Sequence, residues 1–249
     1  MPYEISAKVL NKIWLSKNTY LLELFAPQIA SKAKPGQFVM LEVPGKFLRR
    51  PLSIAGVDGN RVTIVFRVVG EGTKNLSLVR RHTQLSAFGP LGKPFPIPES
   101  KAILIGGGIG VVPLIFFARE LIKTGQNFEL IYGEKSAEYL INERFPDIRF
   151  RIFTEDGSKG EKGTVLDGLK ITKDDVIYAC GPTPMIRALK RILESKNNTC
   201  WVSLEQRMAC GIGVCRGCVV KLESGYKTVC RDGPIFLLSE IDVNSLVEP

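Results

Sequence analysis

Between residues 61 and 68 the chain alternates. Val62, Ile64, Phe66 and Val68 share one face, and Arg61, Thr63, Val65 and Arg67 share the other. A period of two predicts a strand with one buried face. Leu22 and Leu24 repeat the rhythm around Glu23. Turn signals recur at Pro35-Gly36, Pro44-Gly45, Asp58-Gly59-Asn60, Gly89-Pro90 and Gly92. Short strands between such turns predict a small antiparallel barrel or sandwich. Gly72 to Arg80 leaves room for one short helix.

Pro94, Pro96 and Pro98 follow. Prolines this close cannot occupy a central strand or a helix interior, so they mark a domain boundary. Beyond them the period changes. Lys101 to Ile105, Phe128 to Tyr132, Ile148 to Phe153, Val176 to Ala179 and Cys200 to Ser203 read as short buried strands. Val112 to Lys123 and Pro184 to Ser195 read as helices. The second carries an apolar stripe of Met185, Ile186, Leu189, Ile192 and Leu193, with Pro184 in its first turn. Strands alternating with helices predict an α/β unit around a mainly parallel sheet. From Met208 the chain is short, rich in cysteine and glycine, and closes with Ile235-Phe236-Leu237-Leu238. A segment of about 40 residues buries too little core to stand without a staple. The expected organisation is a β-barrel over residues 1–98, a doubly wound α/β domain over 99–204 and a small module over 205–249.

Composition narrows the class. An apolar fraction of 45% with 24% charged residues excludes disordered, collagen-like and coiled-coil proteins. The net charge of +9 favours an acidic partner. Arg49-Arg50 and Arg80-Arg81 are isolated pairs, with no basic run interleaved with aromatics, so nucleic acid is not expected. Met1 to Leu10 has no signal-peptide pattern, which predicts a cytoplasmic protein. Ala102 to Ala118 is 17 residues without a charge. It is broken by glycines and Pro113 and is shorter than the roughly 20 residues of a membrane span. A strand, a glycine turn and a helix start explain it, and no span is expected.

Four of the six cysteines fall within 21 residues, as Cys210-x4-Cys215-x2-Cys218-x11-Cys230. The opening C-x4-C-x2-C is the plant-type ferredoxin spacing, in which a tight loop gathers three thiolates around a [2Fe–2S] cluster and a later cysteine closes the set. Gly211, Gly213 and Gly217 lie inside that loop, where they let amide N–H groups turn toward the sulfurs. A zinc ion held by four cysteines is the structural alternative. Zinc sites more often pair two C-x2-4-C knuckles, and here the second knuckle is missing. The last gap is far shorter than in plant-type ferredoxins. Since such a cluster moves single electrons and does no bond chemistry, a second electron-handling cofactor is expected elsewhere in the chain.

Arg50-Pro51-Leu52-Ser53 offers an arginine for a diphosphate and a hydroxyl for a flavin ring nitrogen, or is a surface turn. Gly70-Glu71-Gly72-Thr73 opens the short helix as a phosphate site or a plain cap. Gly106-Gly107-Gly108-Ile109-Gly110 lies between a strand and a helix, where a dinucleotide loop belongs, although Pro113 stands where G-x-G-x-x-G has its last glycine. Glu134, 24 residues after Gly110, is near the distance of an acid that binds the adenine ribose of NAD, or is a solvated loop residue. Cys180-Gly181-Pro182 ends a strand at the carboxyl edge, where α/β ligands bind. His82, the single histidine, reads as a loop residue and Cys200 as core.

The order of these signals resembles the ferredoxin–NADP reductase superfamily, through Pro35-Gly36-Gln37-Phe38, Arg50-Pro51-Leu52-Ser53, Gly89-Pro90-Leu91-Gly92 and Cys180-Gly181-Pro182. Ser203-Leu204-Glu205, the run from Met208 to Cys215 and Cys230-Arg231-Asp232-Gly233-Pro234-Ile235-Phe236 narrow it. Over essentially its whole length the chain resembles the electron-transfer subunits of class 1B dihydroorotate dehydrogenase. The resemblance implies FAD on the barrel, bound by Arg50, Pro51, Leu52, Ser53, Val65, Phe66, Arg67, Gly72 and Thr73. It implies NAD on the α/β domain, at Gly107, Gly108, Gly110, Glu134, Cys180, Gly181 and Pro182. The cluster would be held by Cys210, Cys215, Cys218 and Cys230. The implied partner is an FMN-containing catalytic subunit that oxidises dihydroorotate in pyrimidine biosynthesis, as a heterotetramer of two of each chain. The alternatives are a flavin/iron–sulfur subunit of another NAD(P)H–ferredoxin or sulfur reductase complex, and a zinc-stapled binding module.

Overall fold

The computed structural model describes residues 1–247. Six strands build the first unit: β1 (Tyr3–Ser16), β2 (Thr19–Phe25), β3 (Phe38–Leu41), β4 (Arg50–Asp58), β5 (Arg61–Arg67) and β6 (Gln84–Leu91). They close into an antiparallel barrel in the order β1-β2-β5-β4-β3-β6. Two short helices, α1 (Pro27–Ala30) and α2 (Glu71–Ser77), lie in its connections. The alternation in β5 works as expected, since Val62, Ile64 and Phe66 fill the barrel with Leu22, Leu24 and Ile54. Val65 departs from the pattern. It points out of the barrel yet is buried, because the outer face of β4 and β5 packs against the second unit, with Leu21, Ala55 and Phe117 in one cluster.

After the proline stretch, which forms no regular element, come β7 (Ala102–Gly107), α3 (Val111–Lys123), β8 (Phe128–Glu134), β9 (Phe150–Thr154), β10 (Glu161–Lys162), β11 (Val176–Cys180), α4 (Thr183–Leu193) and β12 (Cys200–Ser203). The sheet runs β10-β9-β8-β7-β11-β12, all parallel. Ala102 and Leu104 face α3, while Ile103 and Ile105 face α4, so helices cover both sides. The uncharged run from Ala102 to Ala118 is β7, a glycine turn and half of α3. Among the described residues no helix is long and apolar enough to cross a membrane.

The last segment holds a hairpin of β13 (Val219–Leu222) and β14 (Gly225–Thr228), a single turn α5 (Val229–Asp232) and β15 (Ile235–Leu237). The segment expected as a small module over 205–249 packs on the α/β unit. β15 pairs antiparallel with β12 and becomes the seventh strand of the parallel sheet. The reason is size: Cys218, Val220, Leu222, Val229 and Phe236 share one core with α4 instead of forming their own. Residues 248 and 249 of that expectation lie outside the described residues.

Candidate functional site

The loop from Cys210 to Cys218 wraps onto the barrel. A Cβ at Gly211 would stand 2.7 Å from Met40 Cγ and 3.1 Å from Leu91 Cδ1, so only glycine allows this approach. The loop's backbone N–H groups turn inward to sulfur. Ile212 and Cys215 donate to Cys210 Sγ at 3.5 Å, Gly217 to Cys215 Sγ at 3.5 Å, Cys230 to Cys218 Sγ at 3.4 Å and Gly213 to Cys230 Sγ at 3.0 Å. Backbone amides thus face the sulfurs of all four cysteines, and the Gly213 N–H ties Cys230 to the loop that carries the other three. Among the described residues no three metal-binding side chains converge as they would on one ion. Burial acts against the Cys210 thiolate, but the N–H groups of Cys215, Ile212 and Val214 outweigh it and bring the thiol down to about 6. Burial and the Cys218 thiol push Cys230 up to about 12. Cys215 is exposed, beside Ile212 and Val214, which are also exposed. Cys180 and Cys200 lie apart in the α/β core, where burial raises both thiols.

The residues expected at the flavin divide by face. Leu52 and Phe66 point into the barrel, Phe66 stacking on Tyr20 at 5.9 Å, and Val65 points to the α/β unit, so these three present only backbone. Arg50 reaches α2: a Cβ at Gly72 would stand 3.0 Å from its Nε. The Thr73 hydroxyl accepts from the N–H groups of Val69 (3.0 Å) and Gly70 (3.2 Å) and donates to the Gly70 carbonyl, so it caps its own helix. Half-buried Pro51 and Ser53 share the other face of β4. His82 sits in a turn, its N–H bonded to the Val9 carbonyl at 2.7 Å.

A cleft of about 950 Å³ opens at the carboxyl edge of the sheet between β7 and β11, where the strand order reverses. Gly107, Gly108, Gly110, Gly181, Pro182 and Glu134 all line it. The loop after β7 interlocks with the one after β11. A Cβ at Gly107 would meet Met185 Sδ at 2.7 Å, and one at Gly110 would meet the Cys180 carbonyl at 2.5 Å. Cys180, expected at the nucleotide, does not line the cleft: its side chain is buried and its carbonyl packs against Gly110.

Glu134, expected as a ribose-binding acid or else a solvated loop residue, lines the cleft and is not solvated. It is buried and paired with Arg67 of the barrel, at 2.5 Å from Nη2 and 3.3 Å from Nη1, and it accepts from the Tyr132 hydroxyl at 3.0 Å. A buried carboxylate needs such partners. Burial and the Glu134 carboxylate raise the Tyr132 phenol, which stays a donor. Arg67 in turn lies against the Tyr139 ring, and its Nη1 is 3.9 Å from where a Cβ at Gly108 would stand. Two acids in the cleft wall escape sequence reasoning. Glu155, one residue past β9, makes no side-chain hydrogen bond or ion pair among the described residues. Glu205 is exposed to the cleft, and desolvation by the protein around it raises its carboxyl. Only the fold brings either of them near the glycine loop.

Residues 205–242 match the family model described as the iron–sulfur cluster binding domain of dihydroorotate dehydrogenase B. A dihydroorotate dehydrogenase B (NAD(+)) electron transfer subunit of Caldanaerobacter subterraneus is 39% identical, covering 97% of this chain and 99% of the relative. The corresponding subunit of a Geobacillus species is 40% identical over 91% and 94%. Among solved structures, an NADH-dependent reduced ferredoxin–NADP oxidoreductase studied for flavin-based electron bifurcation superposes with a TM-score of 0.88 at 30% identity, over 97% of this chain and 91% of that one. Phthalate dioxygenase reductase, at 18% identity and a TM-score of 0.66 over 89% and 87%, shares the fold.

Proposed function

We propose a relay function for this chain, which belongs to the family of dihydroorotate dehydrogenase B electron transfer subunits. It carries FAD, a [2Fe–2S] cluster and an NAD site, and passes electrons from a catalytic subunit to NAD+. The observation that supports this best is adjacency. Gly211 of the cysteine loop packs on Met40, and Met40 pairs directly with Pro51 in the flavin segment. That is one strand spacing, about 5 Å. On the other flank, Arg67 of the same barrel reaches Glu134 and the loop at Gly108. The barrel therefore touches both the cysteine loop and the dinucleotide cleft, where a converter between one-electron and two-electron chemistry belongs. When bound, FAD supplies that conversion.

The chain's own residues have distinct tasks. Arg50 is placed for a diphosphate and Ser53 for a flavin hydrogen bond, with Leu52, Val65, Phe66, Gly72 and Thr73 offering backbone. Gly107, Gly110 and Gly181 let the loops after β7 and β11 interlock beneath the nucleotide, beside Gly108 and Pro182. Cys210, Cys215, Cys218 and Cys230 hold the cluster. The partner docks where Cys215, Ile212 and Val214 are exposed. It is an FMN-bearing subunit that oxidises dihydroorotate, in a heterotetramer of two of each chain. All six cysteines are unpaired, which suits the cytoplasm. Purified anaerobically, the protein is expected to hold about one FAD and about two iron atoms with matching sulfide. NADH should bleach both chromophores. A colourless, zinc-containing protein would overturn the reading.

In the cleft, Glu134 steers Arg67 toward the dinucleotide phosphates and Glu155 is the acid free to accept from ribose. Arg67→Met is expected to raise KM for NADH about tenfold, the size of one charge-assisted hydrogen bond. Glu134→Gln should do less, and should add nothing in the Arg67→Met background. Glu155→Gln should narrow the preference for NADH over NADPH. Steady-state kinetics with a dye acceptor check all three. An equal penalty from Glu134→Gln in both backgrounds would return Glu134 to a direct ribose role.

A further inference from the structure

Three of the four thiols come from one loop, but Cys230 arrives from elsewhere. It sits on α5, a single helical turn that follows the β13–β14 hairpin. A helix this short has no stability of its own, because its few hydrogen bonds do not offset the ordering of its backbone. Something outside the turn must fix where Cys230 points. Part of the tie is backbone: Val229 N–H donates to the Cys218 carbonyl at 2.8 Å. The other part is a side chain that touches no cysteine. Asp232 Oδ2 accepts from the Thr228 N–H at 2.8 Å and from the Thr228 hydroxyl at 2.9 Å. The ring so formed spans the whole of α5 and occupies the N–H of the residue that precedes it.

Thr228 then meets the cysteine loop. Its Oγ1 stands 3.2 Å from the position of a Cβ at Gly213, and the Arg231 side chain stands 2.8 Å from the same point. Gly213 has a φ of +81° and donates its N–H to Cys230 Sγ at 3.0 Å, the shortest of the amide contacts to sulfur. The sequence of contacts is Asp232 to Thr228, Thr228 to Gly213, and Gly213 back to Cys230.

We propose that Asp232 is a positioning residue for the fourth cluster ligand: one carboxylate oxygen holds Thr228 against Gly213 and thereby sets both the reach of Cys230 and its amide hydrogen bond. The proposal rests on the four cysteines being the ligands. It assigns the role to an acceptor oxygen and not to the negative charge. Because both bonds fall on a single oxygen, an asparagine carbonyl can reproduce them.

The test compares Asp232→Ala, Asp232→Asn and Thr228→Val by iron and sulfide content per FAD and by EPR of the reduced protein. Asp232→Ala is expected to lose about half or more of its cluster and to show shifted, broadened g-values in the remainder, as expected when ligand orientation is left unfixed. Asp232→Asn should recover the parental content and line shape. Thr228→Val keeps the shape and removes the hydroxyl, so it should retain the cluster and shift the g-values in the direction of Asp232→Ala by less. It carries the test if Asp232→Ala does not fold. Asn behaving like Ala would show that charge matters, and a parental spectrum in Asp232→Ala or in Thr228→Val would remove the positioning role. A parent protein without a [2Fe–2S] spectrum would instead sink the ligand assignment on which the proposal rests.

Discussion

Cys215→Ser is expected to abolish dihydroorotate-dependent NAD+ reduction by the reconstituted complex, to below about 1% of the parental rate, while NADH-to-dye activity survives in substantial part. Hydride transfer needs only nicotinamide and flavin in contact, and both sites lie on this chain. The step between subunits needs the cluster as a stepping stone. Of the four proposed ligands Cys215 is the one to change, because it is exposed and its removal disturbs packing least. Cys218 and Cys230 are also core residues, and their serine variants should lose stability as well as the cluster. Cys180→Ser and Cys200→Ser should leave the cluster intact, since both thiols lie away from the loop. The assay is paired: coupled activity with the catalytic subunit, and dye reduction by the isolated chain, which should not oxidise dihydroorotate. Coupled turnover that persists without the cluster would refute the relay, as would dihydroorotate oxidation by this chain alone.

Gly110→Ala is expected to raise KM for NADH by about thirtyfold or more and to lower the melting temperature. A Cβ there would stand 2.5 Å from the Cys180 carbonyl oxygen and 2.7 Å from the Gly181 nitrogen. Both are backbone atoms, with no rotamer to turn away. The loop after β7 and the end of β11 must separate, which opens the cradle from both sides, and overpacking of this kind costs about 1–3 kcal/mol. Gly108→Ala is the control within the same loop. Its Cβ would meet only the Arg67 guanidinium at 3.9 Å, but φ is +58°. The cost there is backbone strain of about 1 kcal/mol, with a smaller rise in KM. A Gly110→Ala variant with parental kinetics and melting would mean that the two loops are not interlocked in solution.

Phe66 and Glu134 show what sequence patterns can carry. The alternation through β5 identified a strand and its buried face, because side chains on a strand alternate regardless of what surrounds it. It could not say that the opposite face, at Val65, is covered by a second unit. For Glu134, spacing from the glycine loop placed an acid at the end of the second parallel strand, and it is there. Its carboxylate was spoken for by Arg67, 67 residues earlier in the chain. No spacing rule links two residues that meet only when barrel and sheet pack together.

Local chemistry was therefore legible in the sequence alone: the alternation of β2 and β5, the short buried strands of the α/β unit, where the prolines break the chain, the four-cysteine spacing, and the glycines that a tight loop requires. These follow from period, backbone freedom and ligand geometry within a few residues, and they need no tertiary partner. The fold decided everything that joins distant segments. It gave β15 to the sheet of the α/β unit, because a segment of about 40 residues must borrow a core. It set the cysteine loop one strand from Pro51, paired Arg67 with Glu134, and brought Glu155 and Glu205 into one cleft. Such contacts arise from burial of shared surface, which depends on how whole units pack and leaves no local signature in the chain.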